Sequence, residues 1–147
     1  MRLKHSFSDF MIILFATVIL SGCLGITQPT ESTITEAVHT HFNKQFADLF
    51  SVKTIVKKNG YKDGDGRYIA EITIIARAQR SLEEFAFFLM EDKNISPFEK
   101  IERGMSVGLL KITLPDFKAG EQIEFERHYL FIKSDNGWLL KNEVLQD

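Results

Sequence analysis

The chain carries one cysteine and three prolines in 147 residues. A single cysteine excludes any internal disulfide and any cysteine-rich zinc site, so a packed core has to hold the fold together. An excess of either charge is also missing: 18 Lys+Arg stand against 20 Asp+Glu, a formal net charge of −2. So even a balance supplies no strip of positive potential for a phosphate backbone, and nucleic acid is not an expected partner. No internal repeat, low-complexity block, nucleophile elbow, P-loop, HExxH or dinucleotide fingerprint occurs. No cofactor is expected. What is plentiful is apolar material, with 13 Phe and a hydrophobic fraction of 44%, which argues against intrinsic disorder. The length leaves room for one domain.

The first residues read as an address. Arg2 and Lys4 precede the uncharged run Met11–Leu20, which ends in Ser21-Gly22-Cys23. A basic segment, a short apolar stretch and small residues are the layout of a secretion signal. The apolar run falls short of the about 20 residues that cross a bilayer core, although counting on to Ile26 approaches the lower limit of roughly 17. An uncleaved N-terminal anchor is therefore the main competing reading, and a plain secretory signal cleaved elsewhere is the second. Leu20-Ser21-Gly22-Cys23 resembles the lipobox of bacterial lipoproteins, and the chain's only cysteine closes that motif. The resemblance implies a signal peptide over residues 1–22 and lipidation of Cys23 by a diacylglyceryl group and a further acyl chain such as palmitate. At about 0.8 kcal/mol per buried CH₂, several chains hold a protein where one alone is marginal. It further implies an extracytoplasmic domain tethered to the membrane of the cell envelope. Leu24, where an Asp would mark inner-membrane retention, resembles the outer-membrane default of Gram-negative lipoproteins, which in an envelope of that type implies the periplasmic face of the outer membrane. Residues 23–32, polar with Gly25 and Pro29, read as a lipidated tether, and residues 33–147 as a single domain.

Periodicity gives the domain an α+β character. Thr33-Ile-Thr-Glu36 has the pattern of a capping box, and Ile34, Val38, Phe42, Phe46 and Leu49 form a stripe at helical steps. Ser51–Lys58 is short and β-branched, Asn59–Gly66 is dense in turn residues, and Tyr68–Ala78 alternates with apolar even positions, so a hairpin is expected. Ser81-Leu-Glu-Glu84 repeats the capping box and opens a second, shorter helix to about Asp92. Ser96-Pro97 reads as an interruption, because proline disfavours helix in the residue before it. Val107–Leu114, Ile123–Lys133 and Trp138–Lys141 read as strands, the last two joined by Ser134-Asp-Asn-Gly137. The expected order is helix, two strands, helix, three strands. An N-terminal amphipathic helix packed on a curved antiparallel sheet, with a second short helix, resembles the cystatin-like or nuclear-transport-factor-2-like group. The ending Tyr129–Leu140 resembles the last hairpin of several uncharacterised bacterial lipoproteins in that group. A fold of this kind does not imply a function.

Candidate chemistry is sparse. His39 and His41 sit about 200° apart around a helix and cannot share an ion, while Glu36 and His39 can meet at i, i+3. Glu124, Glu126 and His128 share one strand face at period two and are the best catalytic candidates, as a carboxylate and an imidazole for general-base work. Two glutamates beside Arg127 are more simply the wet face of a sheet. Asp63-Gly-Asp-Gly66 begins like a calcium loop but lacks the later ligands, so a turn suffices. Lys53, Lys57, Lys58 and Lys62 either touch anionic headgroups or protect an edge strand. Phe85, Phe87, Phe88, Met90, Phe98 and Phe117 either line a lipophilic pocket or fill the core. Three functions are carried forward. The first is a membrane-tethered interaction or scaffold domain with an envelope protein partner and no catalysis. The second is a binder of a small apolar ligand between helix and sheet, and the third an enzyme using Glu124, Glu126 and His128.

Overall fold

The structure, a computed structural model, describes residues 27–46 and 48–145. The expected signal peptide and Cys23 lie outside the described residues. Helix α1 spans Glu31–Phe46. Thr30 caps it: its hydroxyl accepts the Thr33 N–H at 3.2 Å and its carbonyl the Ile34 N–H at 3.0 Å. The helix thus starts ahead of the Thr33–Glu36 box, because Thr30 already supplies the oxygen that the free N–H groups of the first turn need. Ile34, Val38 and Phe42 are buried at steps of four, so the expected stripe is the face laid on the sheet.

The sheet is an antiparallel meander of β1 (Phe50–Lys62), β2 (Arg67–Ala78), β3 (Gln122–Ser134) and β4 (Gly137–Val144), in spatial order β1-β2-β3-β4. Strand β2 keeps its alternation: Tyr68, Ala70, Ile72, Ile74, Ala76 and Ala78 are all buried and face α1. Strand β1 is longer than its β-branched run suggests. Asn59, Gly60, Tyr61 and Lys62, expected in a turn, pair with Glu71, Ala70, Ile69 and Tyr68. Glycine is tolerated there because the Tyr68 ring lies across Gly60, in the space a Cβ would fill. The turn is confined to Asp63–Gly66, where Arg67 Nη2 donates to Asp63 Oδ2 at 2.7 Å. At the other hairpin Ser134 pairs with Gly137 around Asp135 and Asn136, and Gly137 takes φ +113, a left-handed value that suits glycine.

Between β2 and β3 the chain makes two helices, α2 (Leu82–Glu91) and α3 (Pro97–Thr113). Val107–Leu114, expected as a strand, is therefore the end of α3 and its C-cap, and the sheet has four strands. The misreading turns on Pro97. Ser96, at φ −64 and ψ 154, adopts the extended backbone that a residue before proline prefers. Pro97 then occupies the first turn, where a missing N–H costs nothing. Ser96 completes a capping box: Glu99 N–H donates to its Oγ at 3.3 Å, and its own N–H donates to Glu99 Oε2 at 3.0 Å. Proline starts this helix. Val107, Leu110 and Leu114 share one face of it and pack on the core.

The centre of the core is aromatic. Phe42 lies 5.1 Å from Phe46, 5.1 Å from Phe125 and 6.3 Å from Phe50, ring centre to ring centre. Phe50 in turn lies 5.2 Å from Phe117 in the segment that enters β3. One ring thus ties α1 to β1 and β3. Phe42→Ala is expected to lose about 3–5 kcal/mol of unfolding free energy, read as a lowered urea midpoint. Truncation of the exposed Val56 should leave the midpoint within about 0.5 kcal/mol.

Candidate functional site

Helix α3 is apolar on two opposite faces. Leu110 is buried and Val107 packs against the core, whereas Phe98, Ile101, Met105, Leu109 and Ile112 are 63–84% exposed. At 100° per residue those five fall within an arc of about 80°. Gly104 and Gly108 adjoin the arc, and a Cβ at either would meet nothing within 4 Å. Phe87 and Met90 on α2 are exposed as well. An apolar face of this extent matches the largest patch of a typical monomer, which is often a functional surface.

Two polar contacts link the helix to its neighbours in this orientation. Arg103 Nη1 donates to Asp48 Oδ2 at 3.0 Å, joining mid-α3 to the turn after α1. Lys100 Nζ donates to the Met90 carbonyl at 3.0 Å. The Glu99 carboxyl lies below the usual carboxylate range, first because of the Ser96 hydroxyl and then because of the Ser96 N–H. Behind the exposed face, α2, α3 and the segment before β3 enclose a cleft of about 490 Å³. Leu82, Ala86, Val107 and Phe117 line it, and its charged residues are of both signs: Lys111 and Lys118 with Glu83, Asp116 and Glu121.

The residues singled out from the sequence are dispersed. Glu124, Glu126 and His128 do share one face of β3, the face turned away from α1. Glu126 and His128 meet Lys58, Glu71 and Thr73 in a shallow depression of about 200 Å³, while Glu124 is not among its lining residues. Glu36 and His39 are exposed on α1; Asn43 Nδ2 lies 3.3 Å from the His39 ring. The Asp63 carboxylate is taken by Arg67. Among the described residues no cluster of three His, Cys, Asp or Glu forms a metal site. Lys53, Lys57, Lys58 and Lys62 lie on or beside the edge strand β1, with Lys57 Nζ 5.1 Å from the Tyr68 ring centre. The six aromatic and methionine candidates divide: Phe85 and Phe117 are buried, Phe88 is partly so, and Phe87, Met90 and Phe98 are exposed. They form neither one pocket nor one core.

A polar group that the sequence did not suggest sits beside α1 on the sheet's inner face. Arg127 Nε donates to Glu143 Oε1 at 3.0 Å, and both flank the buried Tyr129. The His41 ring meets Tyr129 edge-on at 5.6 Å, and His41 Nε2 is buried without a hydrogen-bond partner. Burial raises the Tyr129 phenol well above its ordinary value, the Glu143 carboxylate adds to this, and Arg127 opposes it. Period-two placement on β3 could have identified Arg127 and Tyr129, but their partner Glu143 is in register only through the last hairpin.

Two outcomes follow. A phenol whose folded-state pKa is raised gives stability that is complete below the unfolded value of about 10. This stability is lost as pH rises through the folded-state value. The urea midpoint is thus expected to fall above about pH 10, and less so in Tyr129→Phe. Ser96→Ala removes the α3 cap and should cost about 1 kcal/mol, with helical signal lost by circular dichroism. Compared with known proteins, the chain matches no family model, no curated protein and no solved structure.

Proposed function

We propose that this chain is a lipid-tethered protein of the bacterial cell envelope whose domain serves in macromolecular interaction, with no catalysis assigned to it. The observation that carries the interaction reading is the outward apolar face of α3, where five large side chains stand 63–84% exposed. Leaving such a face in water is unfavourable by roughly 25 cal/mol per Å², and a partner that covers it recovers that free energy. The tether reading rests on Leu20-Ser21-Gly22-Cys23. Among the described residues no helix is long and apolar enough to cross a membrane.

A second reading has one observation in its favour. The cleft of about 490 Å³ between α2 and α3 falls within the range of small-molecule sites. Its apolar walls suit a small apolar ligand, with Lys111 and Lys118 balanced at the rim by Glu83, Asp116 and Glu121. It differs in place from the helix–sheet pocket expected: Phe42, Phe50 and Phe125 fill the space between α1 and the middle of the sheet, and the opening between α1 and β4 is an open groove of about 560 Å³.

Intact-mass analysis of the membrane-extracted protein beside Cys23→Ala tests the tether. Loss of residues 1–22 and gain of acyl mass at Cys23, both abolished in Cys23→Ala, is the expected result. An unmodified full-length mass would replace the lipid by an N-terminal peptide anchor.

A further inference from the structure

We infer that the face of α3 is covered by a second copy of this chain, the two α3 helices packing face to face about a two-fold axis. The inference rests on the interaction reading above and names its partner. Three observations select a second copy.

The first is extent. Phe98, Ile101, Met105, Leu109 and Ile112, at 63–84% exposure, present on the order of 100 Å² each, or about 1,000 Å² over two copies, the size at which specific interfaces begin.

The second is shape. Gly104 and Gly108 are one turn apart beside the stripe, with open space where each Cβ would stand. On this face a second helix can approach the backbone closely, and side chains such as Met105 and Ile101 of one copy can pack beside the glycines of the other.

The third is charge. Between Phe98 and Ile112 the face itself is uncharged, so two identical faces meet without like-charge repulsion. A membrane-binding helix instead rims its apolar face with Lys and Arg. Here Lys100 and Arg103 are turned back to Met90 and Asp48, and Glu102 flanks the stripe. Position agrees: Arg103 is bound beside the C-terminal end of α1. The tether enters at the other end of that 16-residue helix, about 24 Å away.

A photo-reactive amino acid placed at Met105 of the full chain, activated in intact membranes, tests this. The expected product has twice the chain mass, with the cross-link mapped by mass spectrometry to an α3 peptide. Ile101→Asp in the same chain should reduce it at least tenfold, while sedimentation of the detergent-extracted protein shifts from dimer to monomer. Resistance to proteolysis checks that the variant is folded. An adduct with a different protein would overturn the second copy and leave the interaction reading standing. Adducts with lipid alone, or none, from a folded protein would overturn both. Acylation of Cys23, read separately by intact mass, decides the tether whichever way the cross-link falls.

Discussion

Everything else in the molecule is arranged around the edge-to-face packing of Phe42 on Phe125, 5.1 Å between ring centres. Phe42 projects from α1, Phe125 from near the start of β3, and Phe50 from the start of β1 closes the group at 5.1 Å from Phe125. Aromatic pairs of this geometry add about 0.5–1.5 kcal/mol beyond the area they bury. They also fix a distance. With that distance set, a helix of one width fits into the curve of a sheet of four strands, and the small residues Ala70, Ala76 and Ala78 on β2 leave room for it.

The same aromatic group decides where open space is left. The rings fill the space between α1 and the middle of the sheet, an open groove of about 560 Å³ remains between α1 and β4, and the outward apolar arc lies on α3. Helices α2 and α3 reach the core through Phe85, Leu89 and Leu110 and are braced by the Arg103–Asp48 pair. An exposed ion pair of this sort adds little to stability. Its contribution is orientation, since it keeps the apolar arc of α3 turned outward. The polar group of His41, Arg127, Tyr129 and Glu143 lies at the other margin of α1, a separate environment with its own pH response.

How much of this could be read in the sequence differs by element and for physical reasons. The α1 stripe and the alternation of β2 are plain in the sequence, because α1 is buried along one stripe and the even positions of β2 are all apolar and buried, although Ile69 and Thr73 on its other face are buried as well. Edges were harder. Strand β1 runs through Asn59 and Gly60 because Tyr68 from the neighbouring strand covers the glycine, a long-range support that local turn preference does not contain. Helix α3 was missed for two reasons. Pro97 was weighed as a breaker when its place after Ser96 and before Glu99 makes it a starter. Its C-terminal part, rich in Val, Leu, Ile and Thr, also has the composition of a strand. The candidate site was hidden with it: the spacing of Phe98, Ile101, Met105, Leu109 and Ile112 means nothing until the segment is taken as one helix. Glu124, Glu126 and His128 were placed correctly on one strand face, but what surrounds that face is set by β1 and β2 and could not be read from β3.

The junction between β2 and β3 has a wider consequence. These strands pair directly, and the Ala78 N–H donates to the Glu121 carbonyl at 2.8 Å while the Gly120 N–H donates to the Ala78 carbonyl at 2.8 Å. The whole excursion from Gln79 to Gly120 therefore leaves and re-enters the ladder at neighbouring points. In principle a tight turn could bridge the same gap with every rung of the sheet retained. The helical hairpin is thus inserted between neighbouring rungs; Phe85, Leu89, Leu110 and Phe117 tie it to the core, while changes confined to its outward residues need not disturb the register of the strands that carry it. Loop-closure cost rises only slowly with length, by about 0.6 kcal/mol per doubling. A chain built this way can revise what it presents to its surroundings while leaving its scaffold almost untouched.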